Sequence, residues 1–187
     1  MGTPFLLVTP KKSMKTLIFD IDGTLTDMGP IERTIEQVVR LRTGRVSKKE
    51  YQRLYDQVTR RLQKDGLLPK PVAFPLVQWI KKNKTSYRFV YATGGETSES
   101  QYILRELGLL DLFDLENSVS ATNCRFSKKT GIPFRRIIKK YPDCIVIGDS
   151  EKDCQGAEKA KAPFILVSRG APSSLKEFEA FEKRLVE

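Results

Sequence analysis

Three apolar runs in this chain break off at polar, glycine-containing stretches. Thr16–Phe19 ends at Asp20-Ile21-Asp22-Gly23-Thr24, Arg88–Ala92 at Thr93-Gly94-Gly95, and Cys144–Ile147 at Gly148-Asp149-Ser150, with Asp153 close behind. Carboxylates gathered at one place repel one another unless a cation lies among them. An all-oxygen ligand set of that kind suits magnesium far better than zinc. A lone Asp-x-Asp is compatible with a simple turn. Apolar runs that end in both Asp20-x-Asp22-Gly23-Thr24 and Gly148-Asp149-Ser150-Glu151-Lys152-Asp153 point to a site. The chain contains no histidine, which excludes histidine relays, histidine-ligated zinc and histidine general bases. Carboxylates, lysine and a metal are left to do any catalysis.

These residues need a frame that holds them together. The apolar runs are four or five residues long and read as strands: Thr16–Phe19, Arg88–Ala92, Cys144–Ile147 and Phe164–Val167, with a weaker one at 118–121. Between them lie helical patterns at about 98–107, 132–140, 152–159 and 177–186. Short strands alternating with helices predict an α/β fold with a mostly parallel sheet covered on both faces. Ligands of such sheets bind beyond the carboxyl ends of the strands, where the three polar stretches fall. The segment after the first strand is different. Ile31, Ile35, Val38 and Val39 mark one helix, stopped by Gly44. Ser47 and Glu50 form a capping box for a second, whose stripe is Tyr51, Leu54, Tyr55, Val58 and Leu62. Pro69 and Pro71 punctuate the exit, and a third helix is predicted over 72–83. No strand is predicted inside this first third.

Taken together, FDIDGTLTD (ending at Asp27) and GDSEKD (148–153) resemble the first and fourth motifs of the haloacid dehalogenase-like hydrolases, phosphatase branch. The resemblance covers residues 14 to about 169. It implies a Rossmann-like three-layer parallel sheet with a small helical cap inserted after the first strand. The α/β core would be 14–28 and 69–187, the cap 29–68, and 1–13 an extension outside both. It implies magnesium held by the side chains of Asp20 and Asp149 and the main-chain carbonyl of Asp22, with Asp153 completing the cluster. Asp20 would be the nucleophile and Asp22 the acid and base. Thr93 matches the second motif and would bind the phosphoryl group with Gly94, Gly23 and Thr24. The lysine of the third motif lies in SKKTGIP. Lys129 is preferred for its closeness to Pro133, with Lys128 the alternative, because the usual Lys-Pro pair is missing. Asp22 stands where dehalogenases lack the carboxylate, so dehalogenation is not expected.

Charge bears on the substrate. Of the formal net charge of +10, residues 28–87 carry fourteen Lys and Arg against five Asp and Glu. Clustered charge of one sign concentrates an oppositely charged partner. Arg33, Arg40, Arg42, Arg45, Lys48 and Lys49 are candidates to grip an anionic part of a small phosphorylated substrate. A solvated basic face is the plainer reading. A nucleic-acid 3′-phosphatase and a phosphomutase remain alternatives, the latter disfavoured by a cap of only about forty residues, and a non-catalytic binding protein ranks below both. The oligomeric state is not readable. The longest apolar runs are too short to span a membrane, and the first ten residues lack a secretory pattern. Cys124, Cys144 and Cys154 are too few for a disulfide scaffold, so a cytoplasmic setting is expected.

Overall fold

The structure is a computed structural model that describes residues 14–44, 46–168 and 175–186. The N-terminal extension and Arg45 lie outside the described residues. Four parallel strands form the central sheet: β1 (Thr16–Phe19), β4 (Arg88–Tyr91), β5 (Cys144–Gly148) and β6 (Phe164–Leu166), in the order β4-β1-β5-β6. β1 is central and pairs with β4 on one side and β5 on the other, Ile18 lying beside both Val90 and Val146. It therefore has to be apolar on both faces, and all four of its residues are buried.

Side chains alternate across this sheet. Leu17, Phe19, Phe89, Tyr91, Ile145 and Ile147 face one core, which also takes Leu76 and Ile80 of α3 (Leu76–Lys82), Leu104 of α4 (Thr97–Glu106) and Phe181 of α7 (Leu175–Val186). Ile18, Val90 and Val146 face a smaller one. It is closed by Phe134 and Ile137 of α5 (Ile132–Lys140) and by Ala157 and Ala160 of α6 (Glu151–Ala160). Three layers result.

The inserted cap consists of α1 (Gly29–Arg42) and α2 (Lys48–Lys64). Ile31, Ile35 and Val39 of α1 are buried, as is Val58 of α2. The Ser47–Glu50 capping box is formed: Glu50 N–H donates to Ser47 Oγ at 3.3 Å and Ser47 N–H to Glu50 Oε2 at 3.1 Å.

Two expectations fail locally. The helix predicted over 72–83 starts only at Leu76. Val72–Ala73 instead forms a short strand, β3, antiparallel to β2 (Thr26–Asp27), so the first third does contain strands. Pro75 disfavours helical geometry at Phe74 and fits only at a helix start. The weak strand at 118–121 is reduced to a single bridge between Ala92 and Val119. Side chains take the backbone's place there: Ser118 Oγ accepts from Tyr91 N–H, and Asn123 Oδ1 from Ser120 N–H. Among the described residues no helix is long and apolar enough to cross a membrane.

Candidate active site

β1 and β5 lie side by side, so the residues that follow them meet at one edge of the sheet. Asp20 follows β1, Asp149 follows β5, and Asp153 lies in the first turn of α6. One carboxylate oxygen of each comes within 4.8 Å of the others. Asp153 is fully buried and Asp20 only 8% exposed. Ser150 fixes Asp153 by a capping box, its hydroxyl donating to Asp153 Oδ2 while Asp153 N–H points back to Ser150 Oγ at 3.4 Å. An anion in the first turn of a helix is also favoured by the helix dipole.

Gly23 explains how the two loops come so close. It has φ +77°, and a Cβ there would stand 2.1 Å from Asp149 Oδ2. Only glycine allows both the turn and the contact. Thr24 donates to Asp149 Oδ1 at 3.3 Å. Gly23 and Thr24, expected on the phosphate, are both buried and both meet Asp149.

The lysine is Lys128. Its ammonium lies 2.7 Å from Asp20 Oδ1 and 2.7 Å from Asp153 Oδ1. The Asp153 oxygen that meets the ammonium is buried and has no other partner among the described residues. Burial alone would lower the Lys128 pKa, but Asp20 and Asp153 more than offset it and hold it above the usual lysine value. The preference for Lys129 is thus corrected by geometry. Residues 128–130 form a 3₁₀ turn, in which successive side chains diverge by about a third of a circle. Lys129 is exposed, and its carbonyl accepts from Lys159 Nζ at 3.0 Å. The turn is held against α6 at Gly156, where a Cβ would lie 2.2 Å from the Lys128 carbonyl oxygen. That close approach was missed in the sequence; a glycine inside a helix was its only signal.

Two cavities meet at this edge. One, of about 780 Å³, is lined by Asp20, Asp22, Asp149 and Lys128, with Thr93 and Gly94 opposite. The other, of about 360 Å³, lies between cap and core and shares Asp22, Thr93 and Gly95 with the first. Among the described residues, no basic residue of the cap lines either. Arg33 and Arg40 border a neighbouring groove reached past Glu36, Lys48 and Lys49 one reached past Gln52, and Arg42 is exposed. The cap-side lining of Glu32, Glu36, Tyr51 and Tyr55 had no legible signal beyond helical spacing.

The cluster fits a divalent metal. Lys128 brings one positive charge against three carboxylates. Burial pushes the Asp20 carboxyl up to about 7, with Lys128 opposing and Asp153 adding to the rise. A buried ion without compensation costs several kcal/mol. An oxygen-only donor set of three carboxylates drawn together in this way accepts a hard divalent cation.

Comparison with known proteins agrees with this fold. The model of the haloacid dehalogenase-like hydrolases matches residues 46–161, a stretch that leaves out Asp20 and Asp22. No curated protein matches the sequence significantly. Among solved structures, a subfamily IA hydrolase of that superfamily from Geobacter sulfurreducens PCA superposes with a TM-score of 0.65 at 19% identity, over 82% of this chain and 89% of the other. A predicted phosphoglycolate phosphatase from Haemophilus somnus 129pt gives 0.66 at 16% identity, over 84% and 86%. A phosphatase of the same superfamily from Thermococcus onnurineus gives 0.61 at 20%, over 88% and 91%.

Proposed function

The chain belongs to the haloacid dehalogenase-like hydrolases, and on that premise we propose that it is a magnesium-dependent phosphomonoesterase working through an aspartyl-phosphate on Asp20. The observation that carries this reading is the contact of one lysine with both Asp20 and Asp153, beside Asp149, at the floor of an open cavity. A carboxylate can attack a phosphate dianion only where positive charge offsets both. Asp20, Asp149 and the Asp22 carbonyl would hold magnesium, which when bound supplies charge neutralisation at the phosphoryl oxygens.

The chain's own residues do the rest. Lys128 favours the ionised form of Asp20 and aims it. Asp20 forms a bond to phosphorus as the bond from phosphorus to the leaving oxygen breaks, and Asp22 donates its proton to that oxygen. Asp22, now ionised, takes a proton from the incoming water, whose oxygen displaces Asp20 and releases inorganic phosphate. Thr93 and Gly94 line the same cavity as Asp20, and we assign the Thr93 hydroxyl and the Gly94 N–H to the phosphoryl oxygens. Asp22 suits the double role because it is exposed and borders both cavities, so it reaches the leaving group and solvent alike.

The test is inorganic phosphate release from a panel of sugar phosphates, phosphoglycolate, nucleotides and p-nitrophenyl phosphate. We expect turnover with magnesium, and loss with chelator or with Asp20→Asn. No release from any ester by magnesium-loaded protein would refute the reading.

A further inference from the structure

The cavity between cap and core adjoins the reacting centre and has an unusual lining. It shares Asp22, Thr93 and Gly95 with the cavity that holds Asp20, which leaves a leaving group a route into it. Its charged lining beyond Asp22 consists of Glu32 and Glu36 from the cap and Glu99 from α4, and its aromatic lining of Tyr51 and Tyr55. No lysine or arginine lines it among the described residues. Glu36 does pair with Arg40 at 3.5 Å, but on the outer surface, where Arg40 is largely exposed.

Glu99 is the carboxylate nearest the chemistry. A Cβ on Gly95 would lie 2.8 Å from Glu99 Oε2 and 3.7 Å from Thr93 Oγ1, so the carboxylate sits within one residue's width of the phosphoryl-binding hydroxyl. Burial raises the Glu99 pKa, and the charges of Glu96, Asp22 and Asp56 add to the rise, though a backbone hydrogen bond at Glu96 opposes it. Tyr55 is raised by burial and then by Glu99, Glu32 and Glu36. Both shifts come first from burial and then from neighbouring carboxylates.

We propose that this cavity selects phosphomonoesters whose leaving alcohol carries an ammonium group a few bonds from the phosphate, such as a short amino alcohol. It correspondingly rejects esters whose leaving group carries a carboxylate or second phosphate. The inference rests on the phosphomonoesterase reading. Carboxylates attract the ammonium directly, tyrosine faces attract it through their ring quadrupoles, and a second anion would be repelled by Glu99. A leaving group of the opposite charge would have to turn the other way, toward Arg125 and Lys152 in the larger cavity.

The experiment compares kcat/KM, with magnesium, for phosphoethanolamine and phosphocholine against neutral glycerol phosphate and anionic phosphoglycolate. The cationic esters should exceed glycerol phosphate by about tenfold and phosphoglycolate by more, each tenfold corresponding to about 1.4 kcal/mol. Glu99→Gln should bring the cationic-to-neutral ratio toward one. Glu36→Gln, at a partly exposed site on α1, should lower it less and serves if Glu99→Gln folds poorly. Equal rates across the set, or phosphoglycolate as the better ester, would overturn the inference while leaving the phosphomonoesterase intact. Calorimetric binding of phosphocholine and phosphoglycolate to magnesium-loaded Asp20→Asn protein reads selectivity without turnover. Tighter binding of phosphocholine supports the inference, and equal or weaker binding overturns it even where no ester is hydrolysed.

Discussion

Asp20, the proposed nucleophile, stands in an unfavourable place. Desolvation raises its pKa from 3.8 to about 7, against Lys128, so near neutrality the metal-free site holds only part of it ionised. A group raised on folding favours the folded state below its unfolded pKa and loses that advantage as pH rises through the folded one. Metal-free protein therefore loses stability from this group between about pH 4 and 7. Lys128 offsets part of the cost. Lys128→Ala should reduce kcat by roughly 10²–10³-fold, the scale of losing one charged stabiliser of the transition state. It should also move the acid limb of the kcat/KM profile to higher pH, because without the ammonium Asp20 takes up its proton sooner. Lys129→Ala should stay within about twofold of the parent, as exposed substitutions usually do. The kinetic pH profiles of both variants decide between the two lysines. The aspartates were legible because Asp-x-Asp-Gly-Thr and Gly-Asp-Ser-x-x-Asp each end an apolar strand. The choice of lysine was not, since a two-residue Lys-Lys pair has the same composition in either register and only the 3₁₀ turn separates them.

At the scale of elements, the site depends on how tightly α6 meets the turn that carries Lys128. Gly156 is the contact: a Cβ there would lie 2.2 Å from Lys128 O and 2.5 Å from the Phe134 ring. Glycine inside a helix is about 1 kcal/mol less favourable than alanine, so its presence reflects the close approach. Gly156→Ala should therefore destabilise the protein, by about 1–3 kcal/mol as overpacking does, and lower kcat together with thermal stability as Lys128 shifts. A rise in melting temperature would show that the contact has slack. The strands β1, β4 and β5, the capping box at Ser47 and the paired cap helices were legible from periodicity and caps. The β2–β3 pair was not, because two-residue strands carry no periodic signal, and Pro75 was the only mark of where the third helix begins.

Over the whole molecule, charge is sorted by place. Of the basic residues between 28 and 87, Arg33, Arg40, Lys48, Lys49, Arg53 and Arg60 border outer grooves of the cap, while carboxylates and tyrosines line the cavity beneath it. The outer charge steers a phosphorylated substrate inward, and the inner lining sorts leaving groups. An oligonucleotide would need the basic grooves and the aspartate cluster in one track, and the cavities beside the cluster are not lined by those cap residues. A 3′-phosphorylated oligonucleotide should accordingly show kcat/KM no higher than a mononucleotide, with little dependence on length. A kcat/KM that climbs with length and falls steeply with salt would instead assign the basic face to nucleic acid.

The central claim is that phosphorus passes through Asp20. It is tested most directly with Asp22→Asn protein, magnesium and p-nitrophenyl phosphate, whose leaving group needs little protonation while the second step lacks its base. The expected result is a burst of nitrophenolate close to one per site, with a phosphoryl group found by mass spectrometry on the Asp20 peptide. Absence of a burst with unlabelled protein, or a phosphoryl group on another residue, would contradict it.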